Sequence, residues 1–291
     1  IRELAKKLNI PAVETLMARG VMGDENPLFF GMLGMHGEFA ANMAAHETDL
    51  LISLGARFDD RVTGRLDEFA SKAKVIHVDI DPTSIAKLVV PDYPIVGDLK
   101  ITVKAMIEAI ENGENEFNDY SNWVELLRDY REKEPLRYID SNEVIKPQWP
   151  IQRVGQLLGA KAIISTDVGQ HQMWTAQFYP FSYPRQWITS GGLGTMGFGL
   201  PAAMGVARAL KGTDKVSINF TGDGSILMNI QELMTCVEYE LPVINIILNN
   251  NYLGMVRQWQ TMFYGNRLSE TDLSAQPNFK MLVEAFGGLG Y

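Results

Sequence analysis

Short, near-continuous apolar runs recur along the chain, separated by stretches whose apolar residues fall at helical spacing. In the first third, residues 10–15, 49–55 (Leu50-Leu51-Ile52-Ser53-Leu54) and 74–81 (Val75-Ile76-His77-Val78) read as buried strands. Such runs suit parallel strands covered by helices on both faces, whereas a half-solvated strand would alternate. Val103, Met106, Ile107 and Ile110 form the i, i+3, i+4, i+7 face of a helix ending near Glu111. Leu4, Ala5 and Leu8 place the first residues inside another amphipathic helix.

Residues 112–119 are polar, acidic and glycine-containing, which predicts a linker. A charged helix over 120–133 and an extended stretch through Pro135, Pro147 and Pro150 follow. From Ile151 the alternation resumes: helix 151–158, strand 162–166, helix 200–210, strand 215–221, helix 229–239, strand 242–248 and a helix near 279–286. The predicted fold is α/β, two doubly wound parallel-sheet domains over 1–112 and 151–291, with 113–150 as a helix-containing linker.

Length agrees, since 291 residues suit two domains at roughly 100–200 residues each. Counting 26 Lys+Arg against 35 Asp+Glu gives −9, which argues against a nucleic-acid or anionic-membrane partner. No apolar run approaches the ~18 residues of a membrane span. The single cysteine, Cys236, has no partner for an internal disulfide, so the expected compartment is the cytoplasm. Ile1 in place of Met, and Gly287-Gly288-Leu289-Gly290-Tyr291 leading toward a further strand, predict a fragment cut at both ends.

The strongest chemical signal is Gly222-Asp223-Gly224-Ser225, with 24 residues between Gly224 and Asn249-Asn250. Asp223 follows one predicted strand and Asn250 the next, so a single βαβ unit brings both to the C-terminal sheet edge, where open α/β sheets bind ligands. The helix between them is expected to bury Ile230, Leu233, Met234 and Val237. A carboxylate and an amide oxygen make part of a hard-oxygen site, which Mg²⁺ completes with phosphate and water. The flanking glycines let backbone approach a diphosphate. Alone, each half would read as a turn or a polar loop.

Gly192, Gly194 and Gly197 match G-x-G-x-x-G, with Asp214 near the position of a ribose-binding acid. A dinucleotide fingerprint opens its helix directly, whereas here the helix is expected only from Leu200. A nicotinamide-dependent dehydrogenase is therefore the rival enzyme reading, and a flavin- or nucleotide-binding module the non-catalytic one. Gln170-His171-Gln172 follows the strand 162–166 and offers polar side chains at the same edge.

Gly-Asp-Gly with its downstream Asn-Asn resembles the thiamine-diphosphate enzymes. The resemblance implies that Asp223, Asn250 and the carbonyl of Tyr252 hold Mg²⁺. It further implies that Gln170, His171, Gly194, Gly222, Gly224 and Ser225 contact the cofactor, and that Met196 props it in a bent form. Three further stretches narrow the likeness: Gly31-Met32-Leu33-Gly34-Met35-His36-Gly37, the segment 190–201, and Gly254-Met255-Val256-Arg257-Gln258-Trp259-Gln260. With Gly55-Ala56-Arg57-Phe58-Asp59-Asp60-Arg61-Val62, they are similar to the acetohydroxyacid synthase family over essentially the whole chain.

That family implies a non-redox FAD on Leu33, Gly34, Met35, His36, Gly55, Ala56, Arg57, Asp59, Arg61, Val62, Asp79, Ile80, Gly97 and Asp98. It implies condensation of pyruvate, after loss of carbon dioxide, with pyruvate or 2-oxobutyrate, in branched-chain amino-acid biosynthesis. Arg61 would hold the keto-acid carboxylate and Trp259 would shape the acceptor pocket; by residue type alone, Arg61 equally suits Asp59 or Asp60, and Trp259 a helix anchor. Pyruvate oxidase and glyoxylate carboligase share the cofactor cassette. The resemblance also implies a homodimer or tetramer, a small regulatory subunit, and an activating glutamate upstream of Ile1, without which the fragment is expected to be inactive.

Overall fold

A computed structural model gives the fold and describes residues 1–113 and 117–291; residues 114–116 of the expected linker lie outside the described residues. The chain divides into two compact units, Ile1–Arg137 and Tyr138–Tyr291. Each is α/β with parallel strands, as the apolar runs predict.

In the first unit, β1 (Ala12–Glu14) pairs with β2 (Phe29–Met32), and β3 (Leu50–Leu54), β4 (Lys74–Asp79) and β5 (Tyr93–Val96) form a second parallel sheet in that order. Two of these strands escape the sequence pattern. β2 is only four residues long and contains Gly31. β5 lies at a sheet edge, is largely exposed and contains Pro94, a residue that sheets tolerate at their edges. Helix Ser121–Lys133, expected in the linker, packs in the first unit. Its Val124 and Leu127 are buried with Phe29, Phe30, Ala40 and Ala44. Apolar burial overrides the charged appearance of this helix, since only one stripe needs to face the core.

The second unit holds β6 (Ala162–Thr166), β7 (Trp187–Thr189), β8 (Val216–Gly222) and β9 (Val243–Leu248), in the spatial order β7-β6-β8-β9. The chain steps outward from β6 to β7, crosses back to β8, then continues to β9. The reversal leaves a crevice beyond the C-terminal ends of β6 and β8, the usual ligand position in such sheets. Helix Gly199–Ala209 buries Leu200, Ala203, Val206 and Ala207. The expected helix 229–239 divides into a 3₁₀ turn, Leu227–Asn229, and helix Glu232–Glu238. Its buried line is Leu233 and Cys236, with Ile230 partly covered, whereas Met234 and Val237 are 48% and 37% exposed. The break after Asn229 rotates the two pieces away from one continuous apolar face.

Leu127→Ala is expected to destabilise the first unit by about 2–5 kcal/mol, because the site is fully buried. Denaturant unfolding checks this, and an unchanged midpoint would mean that the helix is dispensable to the unit.

Candidate functional site

β8 delivers Asp223 as the first residue of a short helix, Asp223–Ile226, where the carboxylate is 2% exposed. Its Oδ1 accepts the Gly224 N–H at 3.0 Å, and its Oδ2 accepts the Asn251 N–H at 2.7 Å and the Gln276 Nε2–H at 2.6 Å. Asn250 follows β9, and its Oδ1 accepts the Tyr252 N–H at 3.0 Å. Asn251 makes the turn at φ +61°, a left-handed conformation that asparagine accepts more readily than most residues. One backbone N–H thus ties the strand-end carboxylate to the following Asn-Asn loop.

The neighbouring strand end adds His171, Gln170 and Ser225's partner. Ser225 Oγ donates to the Val168 carbonyl at 3.2 Å, and Gln170 Nε2 donates to Gln258 Oε1 at 2.9 Å. Burial pushes the His171 imidazole down to about 4, so the ring is neutral at pH 7, and its Nε2 is buried with no hydrogen-bond partner. Glycine is needed around this ring. Gly169 has φ +155°, and a Cβ there would sit 2.8 Å from His171 Cε1; one at Gly222 would sit 3.0 Å from Nδ1. Gln172 turns away: it is 3% exposed and donates to Thr189 Oγ1 at 2.8 Å.

One cavity is lined by Gln170, His171, Met196, Gly222, Asp223, Gly224, Ser225, Asn250 and Tyr252, nearly all the residues expected around the diphosphate. Gly194, also expected there, is exposed at φ +69° and does not line it. Trp259 lies outside this lining too, on helix Gly254–Phe263, where its ring meets Phe263 at 5.3 Å. Trp174 lines the cavity without having been singled out, and Gln276 reaches Asp223 from 53 residues away. Sequence spacing carries no signal for that last contact.

Among the described residues no group of three or more His, Cys, Asp or Glu is arranged for a metal. A cation at Asp223 would instead find one carboxylate, the Asn250 amide oxygen and backbone carbonyls, hard oxygens that suit Mg²⁺ completed by phosphate. The bridge between Tyr252 and Asp272 fits this: its hydrogen bonds use the Asn251 carbonyl and the Leu253 N–H, leaving the Tyr252 carbonyl out of the ladder. Gly222 and Gly224 let this edge close tightly, since a Cβ would meet the His171 ring at 3.0 Å at the first and Leu273 Cδ1 at 2.8 Å at the second.

The first unit gathers its own strand-end loops. Gly55 N–H donates to the Val78 carbonyl and Gly97 N–H to the Asp79 carbonyl, so the ends of β3, β4 and β5 adjoin. Met35 N–H donates to the Arg61 carbonyl, and Asn42 grips both polar groups of the Gly34 peptide. Gly34 has φ +114°, and a Cβ there would meet the Arg61 carbonyl at 2.5 Å. Burial, then the nearby Arg61 charge, holds His36 below the usual histidine range. Asp59 caps the Arg61 N–H and binds Arg57, while Asp98 caps helix Leu99–Asn112. The loops holding Leu33, Ala56 and Val62 belong to this cluster, whereas Ile80 is 70% exposed. Arg61 stands 3.7 Å from Asp60, as residue type alone allows.

Residues 1–106 match the family described as thiamine pyrophosphate enzyme, central domain, and residues 167–291 match thiamine pyrophosphate enzyme, C-terminal TPP binding domain. The chain belongs to the thiamine pyrophosphate enzymes. Within them it is 46% identical over 292 residues to the acetolactate synthase isozyme 3 large subunit of Escherichia coli, covering 100% of this chain and 50% of that protein. It is 45% identical to the Haemophilus influenzae acetolactate synthase large subunit, over 99% of this chain and 50% of that one. Against the Mycobacterium bovis acetolactate synthase it is 48% identical, over 100% and 48%. The chain spans about half the length of these curated relatives. The G-x-G-x-x-G segment opens no helix directly, since helix Gly199–Ala209 starts two residues beyond Gly197. No helix among the described residues is long and apolar enough to cross a membrane.

His171 makes a pH prediction. Its folded value, about 4, lies below the ordinary 6.5, so the unfolded chain takes up the proton first as pH falls. Its contribution to stability is therefore present above 6.5 and lost as pH drops toward 4. In melting curves the decline across that window should be shallower for His171→Gln than for the parent, and equal slopes would contradict a neutral buried ring.

Proposed function

We propose that the protein carrying this chain is an acetolactate synthase, which decarboxylates pyruvate and joins the two-carbon unit to pyruvate or 2-oxobutyrate. The observation that supports this most is the convergence of Asp223 and Asn250 with His171 on one cavity, in a chain 45% to 48% identical to proteins named acetolactate synthase. Thiamine diphosphate, when bound, supplies the electron sink for loss of carbon dioxide from a 2-keto acid. In this reading Asp223, Asn250 and the Tyr252 carbonyl hold Mg²⁺, and through it the diphosphate. Gln170, His171, Gly222, Gly224 and Ser225 receive the cofactor from the cavity lining, and Gly194 from the segment beside it. Met196 props it.

Arg61 takes the keto-acid carboxylate, which its guanidinium can grip bidentately, and Trp259 shapes the acceptor pocket. The loops of the first unit hold FAD in a non-redox role. A cytoplasmic assembly of two or four catalytic subunits with a small regulatory subunit completes the proposal.

The test is acetolactate formation by the full-length protein with thiamine diphosphate, Mg²⁺ and FAD. The parent should form product and Asp223→Ala should lose at least about 100-fold. A folded, cofactor-loaded parent that forms none would overturn the proposal in favour of another thiamine-dependent decarboxylation.

A further inference from the structure

The segment that carries Met196 is open to solvent over much of its length, with Leu193 96% exposed. Methionine has three rotatable bonds and fills space softly, so a prop made of it is only as stiff as its backbone. That backbone is gripped immediately after Met196. The Gly197 carbonyl accepts from Asn229 Nδ2 at 2.7 Å, and two residues on the Gly199 N–H donates to Asp167 Oδ1 at 2.8 Å. Two backbone groups of the segment Gly197–Gly199 are thereby held by side chains from two other elements.

Asp167 itself is fully buried at the end of β6. Besides the Gly199 N–H on Oδ1, its Oδ2 accepts the Thr221 hydroxyl at 2.6 Å, and its own N–H donates to the Phe220 carbonyl at 3.2 Å. These partners are all neutral, and burial raises its pKa despite them. The approach is too close for side chains. A Cβ at Gly199 would lie 2.5 Å from Asn219 Oδ1 and 2.7 Å from the Asp167 nitrogen, and one at Gly197 would lie 2.8 Å from Asn229 Nδ2. Gly197 also sits at φ +86°, a conformation reserved for glycine. At the other end of the lever, Met196 Cε reaches within 4.0 Å of a Cβ position on Gly224, beside Asp223.

We propose that Asp167 and Asn229 are positioning residues, a clamp on the Gly197–Gly199 backbone that fixes Met196 against the cofactor cavity. Neither lines that cavity; each acts through the Met196 backbone. The inference rests on the thiamine-diphosphate reading and deepens it. Displacing a positioning group by about 1 Å can cost on the order of 100-fold in a reaction that depends on geometry. Diphosphate affinity, by contrast, depends on Asp223 and Asn250, which the clamp does not touch.

The experiment uses the full-length protein loaded with Mg²⁺ and thiamine diphosphate. It reads the cofactor's dissociation constant and, separately, the rate at which the bound cofactor's C2 hydrogen exchanges with D₂O. Asn229→Ala, Asp167→Asn and Met196→Ala are compared with the parent; Asn229→Ala carries the test if Asp167 variants fail to fold. Both clamp variants and Met196→Ala should slow exchange at least about tenfold while moving the dissociation constant less than about threefold. Parental exchange in Asn229→Ala and Asp167→Asn, with slowed exchange in Met196→Ala, would overturn the clamp and leave the thiamine reading standing. Affinity falling as much as exchange would reduce both residues to structural supports and overturn it. Parental exchange in Met196→Ala, or a parent that binds no cofactor, would remove the reading on which the clamp rests and the clamp with it.

Discussion

The site depends on the pairing of β6 with β8. Their parallel register sets Thr166 beside Phe220, and the Asp167 N–H extends it by bonding to the Phe220 carbonyl. The residues leaving β6, from Asp167 to His171, therefore face the last residues of β8 and those that follow, from Thr221 to Ser225. Because the chain reverses its direction of travel across the sheet between these two strands, no helix closes over their ends. A one-residue slip would exchange the two faces of the strand and shift the loop residues at its end by one position. The buried Ile164, Ile218 and Phe220 resist such a slip.

Around that crevice the second unit keeps polar groups buried without a countercharge. Asp223 is satisfied by two backbone N–H groups and an amide, Asp167 by a hydroxyl and the Gly199 N–H. Neutral donors brace a carboxylate without neutralising it, which leaves its charge for a cation. The first unit does the opposite in its buried cluster: Arg19 pairs with Glu14 at 2.9 Å and with Asp24 at 2.8 Å. A closed ion cluster of this kind suits a structural role, and an open carboxylate a binding one.

Much of this was legible in the chain. Parallel strands announce themselves by unbroken apolar runs, so β3, β4, β6, β8 and β9 could be read directly, and Asp223 and Asn250 could be placed at one edge before any coordinates. The three-residue β1 falls within the run 10–15 read as a strand, whereas β2 and β5 could not be read: they owe their existence to a neighbour already in place, and Pro94 in β5 argues against a strand until its edge position is known. Helix Ser121–Lys133 looked like linker because its buried stripe is narrow among charges. The Gln276 contact with Asp223 and the grip of Asn229 on Gly197 join distant residues by tertiary folding alone, and no local spacing encodes them. Gly194 and Trp259 entered the expected site through resemblance, and the cavity in this chain is lined without either.

The central claim is that the edge of β8 and β9 anchors a diphosphate through a divalent cation. Calorimetric titration of the full-length protein with thiamine diphosphate, with and without Mg²⁺, tests it most directly. Binding that requires the metal, and that weakens at least about tenfold in Asn250→Ala, is the predicted result. Equal affinity in the presence of a chelator, unchanged by Asn250→Ala, would contradict it.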